Sequence, residues 1–252
     1  MINRPQSRPQ PEARVARTLE EVLAAWRLVH EAYVAKAIIE PNQFHLHTNL
    51  QATCPGALVI CGDTAGELTS TLTIVPDGSL GLPLDDVFQT ELDTLRDRGV
   101  RLSEFGLFTH RISALPLQML AASIDTALPD AGCAIAVGVH PRHVGFYRRA
   151  FGFVQSSDVR QYTSLQSVPV CLLYIDRLAF QAVQRPRWGE PSGKLAHQLK
   201  PEQAFDFAPS AWRGTALGHY LDSRTVAPKP PRHTQLAHPE NVSARIKEQA
   251  SP

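Results

Sequence analysis

The sequence predicts a mixed α/β domain, and three observations carry that expectation. Between about residues 15 and 180, segments with helical spacing alternate with short runs rich in β-branched residues. A hydrophobic fraction of 43% supplies a real core for a chain of 252 residues. Polar, proline-rich stretches at both ends confine that core to the middle of the chain.

The elements follow in order. "TLEEVLAAWRLVHEAYVAKAI" opens on a capping box, Thr18 with Glu21, and repeats apolar residues at Leu19, Val22, Leu23, Trp26 and Tyr33, an amphipathic helix. "ALVICGDTAGELTSTLTIV" reads as an antiparallel hairpin, and "PLDDVFQTELDTLRDRG" as a helix stopped by Gly99. The strand "VRLSEFGLFT", a helix over roughly Leu115 to Leu128, the strand "GCAIAVGV" and the helix "HVGFYRRAF" come next. Late strands are expected around "VRQYTSL" and "VPVCLLYID". The result is a mixed central sheet flanked by helices, with residues 14–183 as the folded domain.

Residues 1–13 read as a disordered leader. Residues 184–252 hold nine of the twenty prolines and read as a largely unstructured extension, because such composition buries too little apolar surface to offset the entropy of ordering. Its one apolar cluster, "AFDFAPSAWRGTALGHYL", is the segment suited to dock on the body or on a partner.

A formal net charge of +1 gives no global attraction to nucleic acid or to a membrane surface. Cys54, Cys61, Cys133 and Cys171 stand singly without CxxC spacing, which favours free thiols in a reducing setting over disulfides or zinc. Without an apolar leader or a spanning segment, a cytoplasmic protein is expected. His45 and His47 share a face if extended, but two histidines without a third ligand do not make a zinc site, so no metal is expected.

The element order, together with Pro76-Asp77, Gly81-Leu82-Pro83, Leu95-Arg96, Glu104, Pro141-Arg142-His143, Phe146-Tyr147 and Gly152-Phe153, resembles the long-chain N-acyl amino acid synthases. These are relatives, within the GNAT superfamily, of the acyl-homoserine lactone autoinducer synthases. The resemblance covers about residues 15–180. It implies a GNAT-like acyltransferase fold and transfer of an acyl group from a thioester, usually on an acyl carrier protein, to the amine of an amino acid. No metal or redox cofactor is needed, since positioning, one base and an oxyanion donor suffice.

Several residues carry candidate roles. Strand alternation puts Glu104 on one face with Leu102, Gly106 and Phe108, a carboxylate among apolar groups whose raised pKa would suit a general base. Pairing with an arginine, or anchoring a substrate ammonium, are the other readings. Tyr147 is placed to protonate a departing thiolate, as the equivalent tyrosine does in related transferases, or to serve as a core aromatic. By analogy, Gly106 would relax the strand into a bulge that aims an N–H at an oxyanion. Pro141 halts the preceding strand, and a cation at Arg142 near a helix N-terminus calls for an anion, so His140, Arg142 and His143 are candidates for the donor's phosphate. Arg148 and Arg149 read as a solvated face. Asp77, in "VPDGSLGLP", either binds the acceptor ammonium or closes a turn.

Ordinary acetyltransferases cradle the coenzyme A pyrophosphate on a glycine-rich loop, whereas "THRISALPLQML" at that place has no glycine. Acyl carrier protein is therefore the expected partner, with acyl-CoA the alternative donor. The other readings are a coenzyme A dependent N-acetyltransferase and a non-catalytic acyl-carrier or ligand-binding module. Leu107 favours the module somewhat, because many relatives place a polar residue near that point; the presence of both Glu104 and Tyr147 opposes it.

Overall fold

The computed structural model describes residues 12–111, 116–187 and 199–224. Eight strands form a sheet: β1 (Glu12–Val15), β2 (Leu58–Thr64), β3 (Glu67–Pro76), β4 (Arg101–His110), β5 (Cys133–Val139), β6 (Val154–Gln155), β7 (Arg160–Tyr162) and β8 (Val168–Asp176). Their spatial order is β1-β2-β3-β4-β5-β8-β6, with β7 also paired to β8. Among the described residues only β4 and β5 run parallel; the remaining pairs are antiparallel. The helices are α1 (Leu19–Ala35), α2 (Asp85–Asp97), α3 (Pro116–Ala127), α4 (Pro141–Phe151), α5 (Arg177–Arg187), α6 (Pro209–Trp212) and α7 (Ala216–Ser223).

Alternation along the strands divides the core between the two faces of the sheet. Ile60, Ile135, Val137, Leu173 and Ile175 face α3, α4 and α5. Val59, Cys61, Ala134, Ala136 and Leu172 face α1, α2 and the C-terminal segment. All four cysteines are free thiols. The hairpin, the two central strands and α1 to α4 stand where the patterning predicts them.

Three elements depart from the sequence reading. β1 begins inside the stretch read as leader, since Ala13 and Val15 point inward, almost fully buried, while the strand pairs with β2. The helix α5 follows β8 directly, started by Asp176, whose Oδ1 accepts from the Ala179 N–H at 2.8 Å. The expectation of a largely unstructured extension is corrected over residues 199–224. Phe207 stacks on Trp26 of α1 at 5.9 Å between ring centroids. The Phe205 N–H donates to the Ala16 carbonyl at 2.8 Å, and the Thr48 N–H donates to the Tyr220 hydroxyl at 3.3 Å. Phe207, Trp212, Leu217, Tyr220 and Leu221 are buried, so few apolar residues, well placed, suffice to order a proline-rich segment. The rest of the leader and of the extension lies outside the described residues.

The Thr18 cap forms as predicted, its Oγ1 accepting from the Glu21 N–H at 3.3 Å. Glu21 does not return to the Thr18 amide; it accepts from the Arg17 N–H at 2.6 Å and pairs with Arg14 at 2.7 Å. At the end of α4, Gly152 has φ 86°, and a side chain there would meet Val183 Cγ2 at 2.9 Å and the Ala179 carbonyl oxygen at 3.1 Å of α5. Glycine thus both caps α4 and lets α5 pack against it.

Candidate active site

The site is built where β4 and β5 part. Their pairing runs from Arg101–Cys133 to Phe105–Val137 and then stops, although β4 continues to His110 and β5 to Val139. On its other edge β4 carries one extra residue: Thr71 of β3 faces Thr109, but Thr73 faces Gly106. The bulge lies one residue beyond the glycine expected to supply it, for Leu107 takes the left-handed conformation with φ 51°. The bulge also resets the alternation. Leu107 joins Leu102 on the α1 and α2 side, while Phe108 turns to the other core, so the expected grouping of Phe108 with Glu104 does not hold.

Between the splayed strands opens a cavity of about 2320 Å³. Glu104, Gly106, Tyr147, His140, Arg142 and His143 all stand on its wall. Glu104 is 5% exposed, and its Oε2 accepts from the Leu84 N–H at 2.7 Å. Burial drives its carboxyl well above the ordinary carboxylate range; the Leu84 N–H opposes that shift, and the charges of Asp85, Asp86 and Asp77 reinforce it. Three phenols cluster nearby. Tyr33 is pushed up to about 12 by burial and then by Glu104. Tyr147 is pushed up to about 12 by burial and then by Tyr33. Tyr162 is raised by burial first and then by Glu104, and its hydroxyl donates to the Pro83 carbonyl at 3.2 Å. Tyr147 also packs against Phe153 at 5.5 Å and Phe146 at 5.6 Å between centroids, so it is a core aromatic and a cavity residue at once.

Asp77 stands outside this wall. One of its oxygens accepts from Arg96 Nη2 at 3.1 Å and the other from Nε. Arg96 also reaches Asp85 at 2.8 and 3.1 Å and Asp93 at 2.7 Å. The Asp77 carboxylate, expected either to bind an ammonium or to close a turn, is engaged by Arg96, which fixes the loop from β3 to α2. That loop carries the Leu84 amide to Glu104.

At the mouth, His140 caps α4, its Nδ1 accepting from the Arg142 N–H at 3.3 Å, with Pro141 in the first turn. The Arg142 Nε donates to His143 Nε2 at 3.1 Å. Burial, then Arg142, His140 and Lys36, lower the His143 pKa, so Arg142 has a neutral-leaning imidazole beside it. Arg148 and Arg149 are exposed and stand off the cavity wall. The glycine-free loop is described only at its ends; residues 112–115 lie outside the described residues.

Sequence reasoning missed Tyr33, Tyr162, Asp85 and the C-terminal residues Trp212, Arg213 and Arg224, all of which line the cavity. Only Asp85, an acid in the first turn of a helix, carried a local signal. His47, considered only as a metal ligand, is 5% exposed on the same wall, and its ring lies 5.0 Å from that of Tyr33. Among the described residues, no group of His, Cys, Asp and Glu could hold a metal, and no helix is long and apolar enough to cross a membrane.

The comparisons with known proteins agree with this fold. The structure of FeeM, an N-acyl amino acid synthase from uncultured soil microbes, superposes with a TM-score of 0.60 at 23% identity, over 69% of this chain and 95% of that one. BjaI, a CoA-dependent acyl-homoserine lactone synthase solved with SAM and isopentyl-CoA, gives 0.56 at 12% identity, over 76% and 93%. TofI, solved in a ternary complex with an inhibitor and MTA, gives 0.53 at 16% identity, over 77% and 100%. No curated protein sequence matches. The family model of the N-acyl amino acid synthase FeeM matches residues 24–176, from within α1 to the end of β8, and so contains the whole splay. This chain therefore belongs to the FeeM family of N-acyl amino acid synthases and is an N-acyltransferase.

Proposed function

We propose that the enzyme transfers a long acyl group from the phosphopantetheine thioester of an acyl carrier protein to the amine of an amino acid. The observation that carries this reading is Glu104, a buried carboxylate at the strand splay inside a cavity of about 2320 Å³. That volume exceeds the roughly 300–1,000 Å³ of ordinary small-molecule sites, leaving room for an acyl chain, a pantetheine arm and an acceptor together.

In this reading Glu104 accepts a proton from the acceptor ammonium, and the free amine attacks the thioester carbonyl. The carbon–nitrogen bond forms, the carbon–sulfur bond breaks, and the departing thiolate takes up the proton that the attacking nitrogen sheds as it becomes an amide. A peptide N–H left out of the ladder at the Gly106–Leu107 bulge faces the developing oxyanion. Tyr147, with its phenol near 12, gives up its proton reluctantly to a thiolate of pKa about 8.5. It serves by donating a hydrogen bond to the sulfur rather than as a full acid. His140, Arg142 and His143 at the mouth suit a single phosphodiester, and the lack of glycine in "THRISALPLQML" favours the carrier protein over coenzyme A.

Mass spectrometry of lipid extracts from cells expressing the chain or its Glu104→Gln variant tests the reading. New masses equal to a fatty acid plus an amino acid less water, absent with the variant, are expected. Equal products from both would remove Glu104 from the chemistry. Purified enzyme offered the same acyl group on carrier protein and on coenzyme A decides the donor, and faster turnover of acyl-CoA would overturn that part.

A further inference from the structure

Acyl transfer to an ammonium moves two protons off the nitrogen, and Glu104 has room for one. Once it holds the proton of the acceptor ammonium, the second, shed as the amide forms, needs another carrier to the departing sulfur. Two phenols of the cavity are placed for that task. The hydroxyl of Tyr162 is tied to the Pro83 carbonyl. Those of Tyr33 and Tyr147 have no hydrogen-bond partner among the described residues, and both side chains line the cavity half-buried.

The two approach the cavity from opposite faces of the sheet. Tyr33 packs with the core under α1 and α2, and Tyr147 with the core under α3, α4 and α5, so the gap between β4 and β5 is where they meet. Tyr33 continues the stripe of Val22, Trp26 and Val29 by which α1 faces the sheet. The Trp26 Nε1 donates to Thr73 Oγ1 at 3.2 Å, and Thr73 stands opposite Gly106. The helix is thus pinned at the bulge, with Tyr33 about 10 Å farther along it. The His47 ring braces that of Tyr33 at 5.0 Å. On the other face Phe146, Phe151 and Phe153 hold the Tyr147 ring, at 5.6, 6.2 and 5.5 Å between centroids. Electrostatics agree with this placement, since Glu104 acts on the Tyr33 phenol and Tyr33 in turn on that of Tyr147.

We propose that Tyr33 is a further catalytic residue, which takes the second proton from the attacking nitrogen while passing its own to Tyr147, and that Tyr147 passes its own to the sulfur. An N–H bond breaks, an S–H bond forms, and each phenol gives one proton as it gains one. No phenolate is left behind in a setting where burial holds both hydroxyls near 12. This rests on the acyltransfer reading above and adds to it the path by which the thiolate is protonated. The hydrogen bonds of such a path close when the substrates are bound between its members.

The test uses the full chain and its preferred acyl thioester, in single-turnover and steady-state assays of Tyr33→Phe, Tyr147→Phe and the double variant. Each single change should slow amide formation about 10²-fold or more, with KM within about 3-fold of wild type. A path cut once is already cut, so the double variant should fall no more than about 3-fold below the slower single variant, where independent contributions would multiply. With the same acyl group on 4-nitrothiophenol, whose thiolate departs without a proton, the Tyr33→Phe loss should shrink to about 3-fold. A wild-type rate for Tyr33→Phe on the preferred thioester, an equal loss on both thioesters, or losses that multiply in the double variant overturns the relay while leaving the acyltransfer reading standing. Acylation of no amine by wild type defeats the acyltransfer reading itself and the relay with it. Circular dichroism on each variant separates a lost hydroxyl from a lost fold.

Discussion

Replacing Arg96 by methionine should cost both stability and the tuning of the base. Arg96 holds two oxygens each of Asp77 and Asp85, with Asp85 only 3% exposed in its side chain and Arg96 and Asp77 each 18%. Removing the cation leaves the buried Asp85 carboxylate without its counter-charge, the Leu82 N–H still donating to it at 2.7 Å, which costs about 3–5 kcal/mol. Asp93, at 43% exposure, adds little. At about 2–4 °C per kcal/mol for a chain of this size, Tm should fall by roughly 6–20 °C. A second consequence reaches the site, because Asp85 and Asp77 already push Glu104 upward. Without Arg96 their charge acts uncompensated, Glu104 rises further, and the acid limb of the pH–rate profile moves to higher pH. Arg96→Lys should fall between, since one ammonium cannot fork to two carboxylates. Thermal denaturation followed by circular dichroism, with acyl transfer assayed across pH, measures both. A Tm within 2 °C of wild type, or an acid limb displaced to lower pH, would refute the reasoning.

Glu104→Gln should abolish most acyl transfer, by roughly 10²–10⁴-fold, and should also change how stability depends on pH. A raised folded pKa means that the folded chain holds the Glu104 proton more tightly than the unfolded chain, so this contribution is complete below about pH 4.3 and lost as pH climbs through the folded value. The variant should therefore gain stability relative to wild type as pH rises from about 4.3, and a gap moving the other way in denaturant titrations would contradict the buried carboxylate. Gly138→Ala puts a methyl 2.7 Å from Leu84 Cδ2 and 3.0 Å from Val170 Cγ2, so about 1–3 kcal/mol of overpacking should appear as a lower Tm, with activity falling as the Leu84 amide leaves Glu104. Wild-type values for both would show the strand to be slack there. Trp212→Ala should cost about 3–5 kcal/mol in urea unfolding, because the indole is 7% exposed and donates to the Phe207 carbonyl at 3.1 Å; no change would mean that the segment is only appended.

Much of the fold was legible because each central element shows its own period. The apolar run "GCAIAVGV" and the cap at Thr18 survive into the structure almost unchanged. Glu104 was legible for the same reason, as a carboxylate inside an apolar strand. The bulge was legible only as a tendency, since the strained position fell on Leu107, a residue with no local preference for positive φ. α5 was missed although Asp176 signals it, because its apolar residues continue directly from β8. The ordered C-terminal segment could not be inferred from composition, which averages over prolines. What orders it is a particular meeting of Phe207 with Trp26 and of Tyr220 with Thr48, contacts spanning most of the chain. Tyr33, Tyr162 and the Leu84 amide were invisible for the same reason: each reaches Glu104 only through tertiary packing.

The raised pKa of Glu104 raises a difficulty that its surroundings also resolve. A base must be ionised to accept a proton, yet burial and three neighbouring aspartates favour the neutral acid. The Leu84 N–H favours the charged form, but it does not outweigh burial. An acceptor ammonium changes that balance, because a cation beside Glu104 stabilises the carboxylate and is drawn by Asp85 and Asp86 on the same wall. In the proposed mechanism the carboxyl would ionise as the ammonium arrives and take back a proton as the amine is released to attack. On that proposal the base would stay inactive until the acceptor is present, which would protect a bound thioester from water activated by a permanently charged carboxylate. Arg96 sets how far that threshold lies from neutrality, since it screens two of the three aspartates.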